Sequence, residues 1–260
     1  MFKILHTGRT SMDAMQRRMD SIANNIANAQ TTGYKSQRVE FEDLVYDRLA
    51  DRGVPQTEEA RQRQLEIGTG SRAKDLARSF EPGILKETHN TYDLAIDGEG
   101  FFGLVDGNGG FYLTRDGAFR VDAEGRLTDS HGYYVVMDAY APLSQYNDED
   151  VTISGDGLVT ANKDGVNVVL GRIRLFSVAD KGSLTAIGGN MFAVRNGTEV
   201  ASNLDTEGFG IIRQGFLEES NVDLTEELVN MLATQRAYEL NTKSITAADE
   251  MWGMVNQLKR

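Results

Sequence analysis

All but two of the 27 glycines lie in the middle of this 260-residue chain. Gly8 is the only one between Phe2 and Ala29, and Gly253 the only one between Asn221 and Arg260. Glycine opposes helix interiors and favours tight turns. The ends are therefore free to form long helices, while the middle is cut into short extended runs.

The N-terminal segment carries Leu5, Met12, Met19 and Ile26 at seven-residue spacing, with Met15 and Ile22 between them. This is an a/d stripe. Asp13 and Arg17 lie off it at i,i+4, in the favourable order. The helix is expected to end near Asn28, before the turn residues Thr31-Thr32-Gly33.

At the other end, Ser220-Asn221-Val222-Asp223 and Asp223-Leu224-Thr225-Glu226 both read as capping boxes. Beyond them Leu228, Met231, Tyr238, Ile245, Ala248, Trp252 and Val255 follow helical spacing. The stripe slips by one residue between Ile245 and Trp252, so no strict heptad is kept. A helix of about 37 residues would be ~55 Å long. Such a length without internal caps points to a partner helix. The apolar positions Leu5, Met12, Met15, Met19, Ile22, Ile26, Leu228, Met231, Tyr238, Ile245, Trp252 and Val255 are the candidate assembly interface.

Between the ends, Leu94 to Ile96, Phe101 to Val105, Phe111 to Leu113, Ala118 to Val121, Tyr133 to Met137, Val151 to Ser154, Leu158 to Ala161 and Val166 to Val178 alternate with Asx-Gly turns. That pattern predicts antiparallel hairpins, with Phe209 to Ile212 as a last strand. No βαβ alternation is present, which argues against a parallel sheet. The expected fold class is α+β: long N- and C-terminal amphipathic helices forming a coiled-coil-like terminal domain, and a β-rich middle domain of antiparallel hairpins. The expected domains are 1–34 with 221–260 (helical assembly), 35–92 with 196–220 (extended connections), and 93–195 (β-rich).

The formal charge of −12 argues against nucleic-acid binding and against docking on anionic lipid. There is no cysteine, which removes disulfides, thiolate metal sites and Cys nucleophiles. No apolar run reaches the ~20 residues of a membrane span, and Met1 to Ser11 lacks the apolar core of a secretory signal. His6, His89 and His131 sit apart, without the spacing of metal ligands. Gly68-Thr69-Gly70-Ser71-Arg72 lacks the strand and the Gly-Lys-Ser/Thr ending of a phosphate loop. Asp106-Gly107-Asn108-Gly109 and Asp148-Glu149-Asp150 lack the later glutamate of a calcium loop. Asn196-Gly197-Thr198 fits a glycosylation acceptor and, first, a turn. No Gly-x-Ser-x-Gly elbow occurs. No catalytic residue, cofactor or metal is expected.

Four segments carry a resemblance. Ser21-Ile22-Ala23-Asn24-Asn25-Ile26-Ala27-Asn28 with Thr31-Thr32-Gly33-Tyr34-Lys35 resembles the N-terminal signature of the flagellar rod and hook family. Asp93-Leu94-Ala95-Ile96-Asp97-Gly98-Glu99-Gly100-Phe101-Phe102 is similar to a segment its axial proteins share. Leu217-Glu218-Glu219-Ser220-Asn221-Val222 and Gln235-Arg236-Ala237-Tyr238-Glu239 resemble its C-terminal motifs. Val45 to Ile67, closed by Gly68-Thr69-Gly70, is similar to an extra segment of the distal-rod branch. His89-Asn90-Thr91-Tyr92 and Met1 to Arg9 depart from the family pattern, which leaves a proximal rod or hook-family paralogue open.

The resemblance implies a structural subunit of the flagellar distal rod. It implies a homo-oligomer in the form of a helical polymer, a tubular drive shaft transmitting torque. Other rod subunits, the hook protein and, where present, the L- and P-ring proteins are its implied neighbours. The implied location is the basal body outside the cytoplasmic membrane, reached through the flagellar type III export apparatus without a cleavable signal peptide. From residues alone, a secreted β-rich cell-wall hydrolase or glycan-binding module, or a monomeric helix-capped scaffold, stays open as an alternative.

Overall fold

The computed structural model describes residues 2–43, 47–48, 66–67, 71–147, 150–163, 165–195, 198, 200–203 and 208–258. The chain divides into two compact units, one of residues 1–27, 37–77 and 223–260, the other of residues 28–36 and 78–222.

The first unit holds both α-helices found among the described residues, α1 (Phe2–Ala27) and α2 (Leu224–Leu258). α2 starts where Asp223 caps it, its carboxylate accepting from Thr225 N at 2.8 Å and Glu226 N at 3.2 Å. Of the two capping boxes in the sequence, the second is therefore the helix start. α1 and α2 pack on each other. The buried residues along them are mostly small or polar: Ala14, Ser21 and Asn25 with Ile22 on α1, and Thr234 and Ala248 on α2. Gly8 allows the closest approach, since a Cβ there would stand 2.9 Å from Ile245 Cγ1. Asn241 Nδ2 donates to Ser11 Oγ across the pair at 2.8 Å.

A β-ribbon completes this unit. Gln37–Asp43 pairs with Ser71–Arg78, and inside that pair Asp47–Arg48 runs antiparallel to Glu66–Ile67. Asn25 ties the ribbon to the helices. Its amide nitrogen donates to Gln37 O (2.9 Å) and Glu227 Oε1 (2.7 Å), and its oxygen accepts from Gln37 N (3.0 Å). Apart from the four ribbon residues 47–48 and 66–67, the expected distal-rod-type segment 45–70 lies outside the described residues.

The second unit is β. A nine-stranded sheet and a four-stranded sheet are joined by two shorter ladders. Phe101–Val105 and Phe111–Thr114 form a hairpin, as do Leu158–Lys163 and Val166–Ile173. Other pairings are distant in sequence: Phe111–Thr114 pairs with Met191–Val194, and Leu94–Asp97 with Ile211–Gln214. Successive side chains of one strand feed two cores, as the strand period of two requires. Phe102 and Leu104 join the large cluster with Leu94, Ile96, Leu170 and Ile173, whereas Phe101 packs with Leu113, Val178 and Phe192.

This corrects the expected fold class in three ways. Strands dominate, with 21 of them against two α-helices among the described residues. The helix pair is not a coiled-coil-like domain of its own. Among the described residues, those buried on the two helices are Ala14, Ser21, Ile22, Asn25, Thr234 and Ala248, with Ile22 the one large apolar side chain among them, whereas a coiled coil buries layers of large a/d residues. The middle is not a run of simple hairpins. Tyr133 to Met137 breaks at Val136, which joins two sheets by accepting from Arg174 N (3.1 Å) and donating to Gly103 O (2.8 Å). Val166 to Val178 breaks at Arg174, whose guanidinium grips Asp138 at 2.6 and 3.0 Å.

Candidate assembly surface and its anchor

α1 and α2 differ in what they leave exposed. The outer side of α1 is polar: His6, Arg9, Asp13, Arg17, Asp20 and Asn24 are exposed. α2 turns Thr234, Ala248 and the half-buried Tyr238, Ile245 and Trp252 toward one side. The opposite side exposes apolar residues interleaved with the charged Arg236, Glu239, Lys243 and Glu250. Val229 (61% exposed), Leu240 (64%) and Met251 (46%) form a row at eleven-residue spacing, about three helical turns. Leu232 and Met254 lie beside that row, both exposed. A helix that is apolar on two sides needs cover on both, and an exposed apolar stripe of this extent marks an interaction surface.

The twelve residues expected from the sequence fall as follows. Leu5, Met12, Met15, Met19 and Ile26 are half-buried on α1, and Ile22 is buried. Met231, Tyr238, Ile245 and Trp252 are half-buried on the α1-facing side of α2, where Ile245 meets Gly8. Leu228 and Val255 are exposed. Outside the expected set, Val229, Leu232, Leu240, Met251 and Met254 are also exposed on α2. Three of them, Val229, Leu240 and Met251, share an eleven-residue spacing that a heptad search passes over.

Within the β unit, two of the signature segments meet in a buried ion cluster. Lys35 Nζ lies 2.5 Å from Glu218 Oε1, with both side chains fully buried, and donates to Glu81 O at 2.6 Å. Arg115 closes the other side of the carboxylate at 3.1 Å and donates to Gly98 O at 2.8 Å. Gly83 N supplies a further donor to Glu218 at 2.9 Å. Burial pushes the Lys35 ammonium below its usual range, and the facing Glu218 carboxylate opposes that shift. Beside the cluster, Gly33 N donates to Glu218 O at 2.8 Å, and Asn221 accepts from Ser36 N at 2.7 Å while donating to Ser79 O at 3.1 Å. Residues 33–36 and 218–221 are thus fastened side by side within the β unit. Among the described residues no group of His, Asp or Glu is placed to hold a metal ion, and no helix is long and apolar enough to cross a membrane.

Comparison with known proteins agrees with these segments. Residues 5–35 match the family model described as flagella basal body rod protein, residues 95–161 the flagellar hook protein FlgE/F/G D1 domain, and residues 213–258 the flagellar basal body rod FlgEFG protein C-terminal. The chain is 39% identical over 265 residues to the flagellar basal-body rod protein FlgG of Borreliella burgdorferi, covering 100% of both chains. It is 36% identical over 261 residues to FlgG of Agrobacterium fabrum, with 98% of each chain covered. The FlgG of Bacillus subtilis is 34% identical over 265 residues, again across 100% of both. With three ordered family matches and full-length relatives well above 30% identity, the chain belongs to the flagellar basal-body rod proteins of the FlgG kind: a structural subunit of the flagellar distal rod, and not an enzyme.

Proposed function

We propose that this subunit polymerises into a rigid tubular shaft that carries torque from the motor to the hook, and that its terminal helices form the contacts between copies. The observation that carries this reading is the exposed Val229-Leu240-Met251 row on the side of α2 turned away from α1. Leaving such a stripe in water forgoes roughly 25 cal/mol for each Å² that a neighbour could cover. The helical pair, with Leu5, Met12, Met15, Met19, Ile22, Ile26, Leu228, Met231, Tyr238, Ile245, Trp252 and Val255, supplies the assembly domain, and the β unit braces adjacent copies. Segment 45–70 stiffens the tube between layers. Other rod subunits and the hook protein adjoin its ends, L- and P-ring proteins surround it where a cell has them, and the subunit reaches the envelope through the flagellar type III export apparatus.

The test is polymerisation of purified chain followed by sedimentation and electron microscopy. Leu240→Asp should leave the monomer's unfolding midpoint nearly unchanged, since the side chain is already exposed, and should abolish polymer. Normal polymer from Leu240→Asp would refute the role of this face. Deleting residues 46–67 should give a more flexible polymer, and an equally straight rod would refute the stiffening role.

A further inference from the structure

The first unit also contains a cleft of about 280 Å³ on the flank of α1, between that helix and the β-ribbon. Arg17 and Asp20 of α1 and Lys74 of the ribbon stand around it, with Val39, Ala73 and Leu76 as its apolar part. Val39 and Ala73 are buried, but Leu76 is 59% exposed. Asp13 neutralises Arg17 at 3.2 Å, whereas Lys74 is exposed and makes no ion pair with any described residue.

Resting on the assembly reading above, we propose that this cleft receives the outward face of α2 from the next copy of the chain. Three features converge on that occupant. The cleft and the face have matching character, apolar residues with charges of both signs among them. On α2, Leu228, Glu239 and Glu250 continue the eleven-residue spacing along the stripe's edge, and both carboxylates are exposed without an ion pair among the described residues. Arg236 and Lys243 are exposed on the same face, so the complementarity runs both ways: Lys74 has acidic counterparts in Glu239 and Glu250, and the cleft's Asp20 has basic ones in Arg236 and Lys243.

The second feature is direction. α2 packs on α1 by its other side, so its outward face points away from the cleft-bearing helix of its own subunit. One copy cannot satisfy itself. The third is symmetry. Cleft and face are different surfaces of one unit, so their contact is heterologous, and such contacts propagate into open helical filaments when the rotation does not close. A rod requires that kind of contact, which a self-complementary two-fold dimer would not supply.

The chain has no cysteine, so engineered thiols report without background. Full-length Lys74→Cys chains are mixed in turn with Leu228→Cys, Leu232→Cys and Glu239→Cys chains, polymerised and oxidised. A disulfide needs Cα atoms within about 7 Å. At least one of these mixtures should give a mixed disulfide that is absent from unpolymerised chains. Lys74→Cys mixed with Tyr238→Cys, on the side facing α1, should not cross-link. As a second measurement, Lys74→Glu should slow polymerisation and Glu239→Lys or Glu250→Lys in the same chain should restore it. Polymer that forms without a mixed disulfide, and at an unchanged rate with Lys74→Glu, overturns this contact while leaving the assembly reading intact. Failure of the unmodified chain to polymerise overturns the assembly reading, and the contact with it.

Discussion

Lys35 Nζ and Glu218 Oε1 meet at 2.5 Å with neither side chain reaching solvent. The two residues stand 183 positions apart in the chain, one just past α1 and the other just before α2. Each of the two signature segments supplies one partner, so the charges hold the segment around Lys35 against the strand Phe216–Glu218. Glu218 faces a second cation, Arg115, and the carboxylate is the centre of the cluster.

Removing one partner of a buried pair costs far more than the pair's net worth, because the other charge stays buried. Lys35→Met is expected to destabilise the chain by about 3–5 kcal/mol. Glu218→Gln should cost at least as much, since it leaves both Lys35 and Arg115 without a countercharge. Urea denaturation of the full chain followed by tryptophan-independent far-UV signal measures both. A loss under about 1 kcal/mol, the range of a surface pair, would show that the cluster is not a structural pin.

The pH dependence of the β unit should carry the signature of Asp116. Its carboxyl lies above the usual carboxylate range, chiefly because burial disfavours the charge, although Ala118 N and Thr32 Oγ1 donate to it and oppose the shift. The folded state therefore holds this proton more tightly than the unfolded one, whose value is 3.8. Stability from this group is present at low pH and declines as pH rises from 3.8 through the folded value. Asp116→Asn keeps the acceptor oxygen and removes the titration. The melting temperature of Asp116→Asn relative to the parent should rise across that window and then level off. A flat difference would show that Asp116 titrates normally.

Much of this architecture was legible in the sequence, for identifiable reasons. The Asx-Gly turns mark hairpins because the turn chemistry is local, and Asp223 marks the start of α2 for the same reason. Non-local pairings leave no such mark. Nothing near Phe111–Thr114 names Met191–Val194 as its partner. The strand breaks at Val136 and Arg174 were hidden because neither is a turn residue, and the break is fixed by a change of sheet. The exposed apolar residues on the outer side of α2 leave a weak mark because Arg236 and Lys243 are interleaved with them, and a search for one apolar stripe stops at the side packed on α1. Lys35 shows the same limit for charge: its place in the Thr-Gly-Tyr-Lys signature was visible, but its complete burial depends on Glu218.

Gly33 shows how tightly that signature turn is built. Its φ is +65°, in the left-handed region, and a Cβ would lie 2.5 Å from Asp116 N. An alanine there would incur about 1–2 kcal/mol for the backbone conformation alone. The clash is with main chain, which cannot rotate away, so the total for Gly33→Ala should exceed that figure. Thermal unfolding with an exposed-turn variant, Gly107→Ala, as control separates the cause, because a Cβ at Gly107 meets nothing within 4 Å. Equal losses in the two variants would remove the argument.

Asn25 makes the last prediction, on the helical unit. It is almost completely buried and satisfies both the N–H and the C=O of Gln37 while also donating to Glu227 in the first turn of α2. Ser21 Oγ donates to the same Gln37 carbonyl at 2.9 Å, so Asn25→Ala leaves the carbonyl one donor but strips the Gln37 amide of its acceptor. A buried group left unpaired costs about 1–3 kcal/mol. The loss should be local as well as global. Hydrogen exchange at the Gln37 amide should speed up far more than at amides in the middle of α1, because its acceptor is gone while the helix keeps its own ladder. Asp223→Ala, which removes the α2 cap, should cost about 1 kcal/mol and leave Gln37 exchange nearly unchanged. Equal protection of Gln37 in both variants would mean that the ribbon is held by its strand pairing and not by Asn25.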